Sequence, residues 1–241
     1  MRIRRRIVVG ISTVFAIIFF ALVYFYLERL KSRQFYFDDL EEALKSPSQV
    51  EVLILRNQSL KEITEDIQQF TNLRVLNLGN NRLTSVPEVI GKLPKLEDLD
   101  LTNNRISRLP GSVSALKHLK SLNLTGNLFT EIPNEVYSLD SLSSLLMADN
   151  RITEVNLSQR LRLLKVVDFA DNRITTISKG TAEVKTLEKI DLQNNRIIQV
   201  PKEVFSMTSL HEIILRGNEL DTQTQELYGN FNLHHTGQEL K

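Results

Sequence analysis

Few residues in this chain have the type and spacing that chemistry requires. There are four histidines, His118, His211, His234 and His235, and no cysteine. None of the four stands at a zinc-ligand spacing from a partner, and no Ser/His/Asp set stands out. No glycine loop of the phosphate-cradling kind occurs; Gly79, Gly126 and Gly217 fall at repeat-related positions that suit a turn. Without a thiol there is no disulfide, thiolate nucleophile or thiolate metal site. What recurs instead is the amide and the carboxylate. Asn81, Asn104, Asn127, Asn150, Asn172, Asn195 and Asn218 share one slot, and Asn77, Asp100, Asn123, Asp168 and Asp191 share another. Amides and carboxylates at fixed intervals suit hydrogen bonding and recognition. No catalytic residue, cofactor or metal site is assigned, and the chain is read as a non-enzyme.

Charge narrows the partners. Lys and Arg number 30 against 29 Asp and Glu. Four of the basic residues are Arg2, Arg4, Arg5 and Arg6, and setting them aside leaves 26 against 29. That is a poor electrostatic footprint for nucleic acid, and no small-molecule substrate is expected.

The slots come from a period. Units begin at Val50, Leu73, Leu96, Leu119, Leu142, Leu164, Leu187 and Leu210, in steps of 23 residues except one of 22 between Leu142 and Leu164. Apolar residues fall at the first, fourth, sixth, eleventh and fourteenth places, as in Leu73, Leu76, Leu78, Leu83 and Val86. Proline follows at Pro87, Pro110, Pro133 and Pro201. The alternating step at places four and six has period two and predicts a short strand with its leucines on one side. A unit of this size cannot bury its own apolar face, so the units must stack as a solenoid that shares one parallel sheet. Where each strand turns into its loop, inward backbone groups lack a ladder partner. An amide at the ninth place supplies both donor and acceptor to its own and adjacent turns. Gln58 holds that slot in the first unit.

LRVLNLGNNRLTSVPEVIGKLPK (73–95) resembles the leucine-rich-repeat family in its 23-residue form at every defining position. The likeness extends over about 50 to 220, eight units. It is similar both to cytosolic signalling repeat proteins of the Ras-suppressor kind and to bacterial membrane-associated or surface repeat proteins. The lead-in FDDLEEALKSPSQVEVLIL (37–55) looks more like the bacterial ones. Membership would imply an α/β solenoid, a curved horseshoe with one parallel β-sheet on its concave face, and protein binding there.

The ends of a solenoid need covers. DDLEEALK (38–45) predicts a short helix with Asp38 or Asp39 at its N-cap and Leu40, Ala43 and Leu44 on one face, stopped by Pro47. DTQTQELYGNF (221–231) is a weaker helix candidate, and NLHHTGQELK after it is expected to fray. Ahead of the repeats, residues 7–27 carry no charge. As a helix at about 1.5 Å per residue they would span roughly 30 Å, a bilayer core. The run reads as a single-pass signal-anchor rather than a cleaved signal peptide, because it is too long and lacks small residues at a cleavage site. Arginines before it, against Arg29, Lys31 and Arg33 after it, keep 1–6 in the cytoplasm and carry the repeats outside a plasma or inner membrane. The domains are then a basic tail (1–6), an anchor (7–27), a juxtamembrane segment with capping helix (28–49), eight repeats (50–220), and a cap with tail (221–241).

Binding residues are expected at places three, five and seven, which face away from the core. The fifth place reads Ile54, Asn77, Asp100, Asn123, Leu146, Asp168, Asp191, Ile214. Leu146, Ala148 and Val166 make an apolar spot among polar neighbours, with Val52 and Ile54 near one end. Asp98, Asp100, Asp168, Lys189 and Asp191 supply charge. Eight strands at about 4.8 Å make a face of order 600–700 Å², slightly below the roughly 800 Å² per partner of a standard protein interface. Arg82, Arg105, Arg151, Arg173 and Arg196 hold the tenth place. They form a stripe suited to phosphate or an acidic surface, against the plainer reading of solvated filler. In VNLSQRLRLL (155–164) Asn156 replaces the proline and one residue is missing, and Ser178 replaces the proline in the next unit. The convex side of units five and six should therefore differ in shape. The favoured function is binding of a protein partner. Its rivals are a cytoplasmic-side regulatory subunit of a small GTPase, kinase or phosphatase, and a structural envelope protein.

Overall fold

The computed structural model describes residues 35–236. The chain divides after Tyr36, and the repeat unit is Phe37–Lys241. The span expected at 7–27 lies outside the described residues. Among those described, no helix is long and apolar enough to cross a membrane.

Each unit contributes a three-residue strand at places three to five: β2 (Val52–Ile54), β3 (Val75–Asn77), β4 (Asp98–Asp100), β5 (Ser121–Asn123), β6 (Ser144–Leu146), β8 (Val166–Asp168), β10 (Lys189–Asp191) and β11 (Glu212–Ile214). They pair in parallel and in strict register, so Leu53, Leu76, Leu99, Leu122, Leu145, Val167, Ile190 and Ile213 form one inward row. All eight of these side chains are buried. The sheet has a ninth strand that the repeat pattern does not contain, β1 (Tyr36–Phe37), at its first edge. Residues 36 and 37 carry no repeat signature. Pairing with the exposed edge of β2 makes them a strand.

The opposite side of each coil runs through a 3-10 segment: Glu65–Gln69, Glu88–Lys92, Gly111–Ala115, Asn134–Ser138 and Lys179–Glu183. Prolines at the start set the backbone torsion, and the first segments stack on one another. Unit seven uses a short helix, α2 (Lys202–Phe205), after Pro201. Unit five has no such segment, only a turn at residues 159–160. Nearby, β7 (Glu154–Val155) and β9 (Thr176–Ile177) pair in parallel as a separate two-stranded sheet, an addition to the one parallel sheet that the repeat predicts. Both departures fall where proline and one residue are missing.

The core is continuous from Ala43 to Phe231. Phe70, Phe129 and Phe169 are its largest fully buried side chains. At the first end α1 (Leu40–Leu44) covers the core. Its N-cap is Asp39, whose side chain accepts from the Glu42 N–H at 2.8 Å. Val52 is fully buried, so that residue leaves the exposed apolar spot. At the other end α3 (Thr222–Thr236) runs five residues into the stretch expected to fray. Asp221 accepts from the Thr224 N–H at 2.8 Å, and the rings of Phe205 and Phe231 lie 6.1 Å apart. Thr224, 2% exposed, accepts from the Val200 N–H and ties the helix to the last coil.

Charge alternates along the second place. Arg74 and Lys120 both reach Glu97, each at 2.7 Å, and Lys165 meets Glu188 at 2.8 Å. Burial pushes the Glu97 carboxyl up, but the hydrogen bonds from Lys120 and Arg74 outweigh it and hold the group below its ordinary value.

Candidate functional site

The candidate site is the outward face of the main sheet. Register aligns its fifth-place row across the strands: Ile54, Asn77, Asp100, Asn123, Leu146, Asp168, Asp191, Ile214. The third-place row runs Val52, Val75, Asp98, Ser121, Ser144, Val166, Lys189, Glu212 in the same pairings. Parallel strands are about 4.8 Å apart, so neighbours in a row touch or nearly so.

The short polar residues of the fifth place are bound into the backbone. The Gly79 N–H donates to Asn77 Oδ1, Thr102 to Asp100 Oδ1, Thr125 to Asn123 Oδ1, Ala170 to Asp168 Oδ1 and Gln193 to Asp191 Oδ1, all between 2.9 and 3.1 Å. Each closes an Asx turn at the end of its strand. These residues therefore shape the strand ends as well as facing outward. Asn77 Nδ2 also donates to Asp100 Oδ2 at 2.9 Å, and the Thr102 hydroxyl donates to Asp100 Oδ1. Leu146 interrupts the series, for it has no oxygen to offer the Ala148 N–H.

Crowding shifts the acids. Burial, and then the neighbouring charge of Asp100, pushes Asp98 up to about 7. Burial likewise raises Asp168, against the Ala170 N–H and the Lys189 ammonium. It raises Asp191 to about 6, against the Gln193 N–H. Asp191 is 3% exposed, the least accessible of the ten residues singled out on this face. Lys189 is paired with Glu212 at 2.9 Å. Asn77, Asp98, Asp100, Asn123, Leu146, Ala148, Val166, Asp168 and Lys189 are half-buried. Leu146 pairs with Asp168 on one side and Asn123 on the other, and Val166 lies one step away beside Ser144. The apolar spot is thus one patch over β6 and β8, flanked by Asp100 and Asn123 on one side and by Asp168, Lys189 and Asp191 on the other.

Beneath the face, the ninth-place amides form a continuous ladder. Asn104 Nδ2 donates to the carbonyls of Leu78 in the previous coil and Leu101 in its own, at 3.1 and 3.0 Å, while its Oδ1 accepts from the Leu83 N–H at 3.0 Å. Asn81, Asn127, Asn150, Asn172, Asn195 and Asn218 repeat that pattern. Gln58 does not enter the ladder. Its side chain is exposed and reaches the Asp38 carbonyl in the cap, and only its backbone N–H meets Asn81. The arginine stripe of the tenth place, Arg82 through Arg196, is solvent-exposed throughout.

No group of three His, Asp or Glu side chains among the described residues could hold a metal ion. The structure also shows an open groove of about 710 Å³ on the far side of the coils, lined from Glu131 to Glu183. Its signal in the sequence is the shortened fifth unit.

Residues 37–166 match a family model described as a leucine-rich repeat region. A comparison with curated proteins gave no match. Among solved structures, a leucine-rich-repeat protein of Leptospira interrogans is similar with a TM-score of 0.65 and 32% identity, over 76% of this chain and 53% of that one. An internalin (inlF) of Listeria monocytogenes has a TM-score of 0.65 and 22% identity, over 77% of this chain and 54% of its own. A second internalin of that bacterium has a TM-score of 0.61 and 22% identity, over 74% and 76%. The chain spans about half the length of the first two.

Proposed function

Because the chain belongs to the leucine-rich repeat family, we propose that the concave face of its curved solenoid binds a protein partner, centred on Leu146. The observation that carries this reading is the break in the fifth-place row. Asn77, Asp100, Asn123, Asp168 and Asp191 each close a turn, and Leu146 alone of the six central positions does not. A half-buried leucine with no part in the turn, ringed by polar groups, has the form of an interface anchor. Val166 and Ala148 extend it. Asp98, Asp100, Asp168 and Lys189 give the rim a charge pattern for a partner to match. We assign binding to this face and no catalysis.

The same proposal places residues 7–27 in a membrane as a single-pass anchor, with 1–6 cytoplasmic and the repeats outside. It rests on 21 consecutive residues without a charge behind four arginines. Protease treatment of intact cells carrying a tag at Lys241 tests the topology. Loss of the tag supports it, and protection reverses it in favour of a regulatory role on the cytoplasmic side.

Cross-linking in the native membrane followed by mass spectrometry tests the binding face. Leu146→Arg is the informative variant, since it removes no hydrogen bond of the fold. Partners captured by the wild type should be lost with Leu146→Arg and kept with Arg105→Ala. Identical captures from all three would remove the concave face from the account.

A further inference from the structure

The convex side carries a gap of definite origin. Five units place a 3-10 segment there and unit seven a short helix, but unit five has only a turn. The stack of segments is therefore broken between Asn134–Ser138 and Lys179–Glu183, and the open groove of about 710 Å³ occupies the break. Residues of both flanking segments line it, as do Glu154 and Arg160 from the coil between. The volume falls in the range of roughly 300–1,000 Å³ usual for ligand sites.

The lining has a consistent character. Glu131, Glu154 and Glu183 contribute three carboxylates against the one guanidinium of Arg160, a balance of −2. All three carboxylates are exposed, and none forms an ion pair among the described residues. Tyr137 stands among them with its ring half-buried, held by a hydrogen bond from its hydroxyl to the Asn156 carbonyl at 2.6 Å. Both Glu131 and Glu154 line the groove with it, and burial, then their charges, raise its hydroxyl above the ordinary value. A fixed aromatic ring beside carboxylates attracts a guanidinium or ammonium group twice over, by charge and by its π face. One wall is β7, which pairs with β9 along one edge, and among the described residues no strand pairs with the other.

We infer that this groove is a second binding site, which takes a short arginine- or lysine-bearing peptide segment of a partner protein in the place of the missing convex segment. It is separate from the concave face, and it stands whether or not Leu146 anchors a partner.

The test uses the full-length chain in a mild non-ionic detergent, with a fluorescein-labelled tri-arginine peptide as probe and its tri-citrulline counterpart as the uncharged control, read by fluorescence anisotropy. The wild type should bind tri-arginine saturably, and the control at least tenfold more weakly. Glu154→Lys with Glu183→Lys should weaken binding at least tenfold. Replacing residues 156–161 with the sequence of residues 133–139 restores the 23-residue period and fills the gap. It should abolish binding without lowering the thermal midpoint. Leu146→Arg should bind as the wild type does. Absence of saturation at millimolar peptide, or equal binding by the filled variant, would overturn the inference. So would arginine amide binding as tightly as the tripeptide, which would mark a small-molecule pocket instead.

Discussion

The side-chain amide of Asn127 donates to the Leu101 carbonyl at 2.9 Å, across 26 residues of sequence and one turn of the solenoid. The same nitrogen serves Leu124 and Thr125, and the oxygen accepts from the Ile106 N–H. One side chain therefore satisfies buried groups of two coils.

Asn127→Ala leaves the Ile106 N–H without a partner and removes one of the two amide donors at each of the Leu101 and Leu124 carbonyls, which keep Asn104 and Asn150. At about 1–3 kcal/mol for the unsatisfied N–H and about 0.5–1.5 kcal/mol for each of the two lost carbonyl bonds, the loss should be about 2–6 kcal/mol. Asn103, next to the corresponding position of the preceding coil, is exposed and makes one side-chain bond outward, to Asn80. Its φ of 52° gives Asn103→Ala a cost of only about 1–2 kcal/mol. Urea unfolding midpoints separate the two. Equal costs would mean that the ladder adds nothing beyond local turn preference.

Asp98 gives the fold a pH dependence of defined sign. Its carboxyl titrates at about 7 in the folded chain against an ordinary 3.8. Between those values the native state holds a proton that the unfolded state has released, so stability rises as pH falls through 7 and levels off below about 4. Asp191, at about 6, acts with the same sign over a narrower window. Asp98→Asn should be more stable than the wild type at pH 8, by about 1 kcal/mol or more, which is a rise of about 2–4 °C in Tm. The difference should vanish near pH 4. A gap that stays constant between pH 4 and 8 would refute the assignment.

Two glycines should respond in opposite directions to alanine. Gly126 has a φ of +67°, and a Cβ there would lie 2.1 Å from Asn103 Oδ1. Gly126→Ala should cost about 1–2 kcal/mol for the left-handed backbone, and more for the collision. A Cβ on Gly111 meets nothing within 4 Å. Gly111→Ala should stabilise by about 0.4–1 kcal/mol, by restricting the unfolded chain. Thermal melts of the two variants at one pH check both.

The positions that repeat were readable because each leucine does one job in every coil. Val50, Leu73 and their successors announce the period, and the ninth-place asparagines stand where inward carbonyls need donors. Features that depend on a neighbour were not readable in the same way. Tyr36 and Phe37 form a strand only because β2 offers an edge, and the burial of Val52 does not follow from its outward place in the repeat. Asn77, Asp100 and Asp168 were legible as outward residues, but their turn-closing role needed the two-residue spacing to Gly79, Thr102 and Ala170 to be read as well. At Asn156 the missing proline was visible. That it would leave a groove depended on the segments stacked on either side.

The charges at the second place have a consequence for how the coils find their order. Near-identical pieces can be docked out of turn, since one leucine row accepts another almost as well. Glu51, Arg74, Glu97 and Lys120 do not allow it so easily. Skipping a coil would set Glu51 beside Glu97, or Arg74 beside Lys120, and repulsion would replace the bonds that Glu97 now makes on both sides. The column works as a counting key. It adds little to the finished solenoid, and it disfavours a miscounted one, including an exchange of coils between two molecules during assembly.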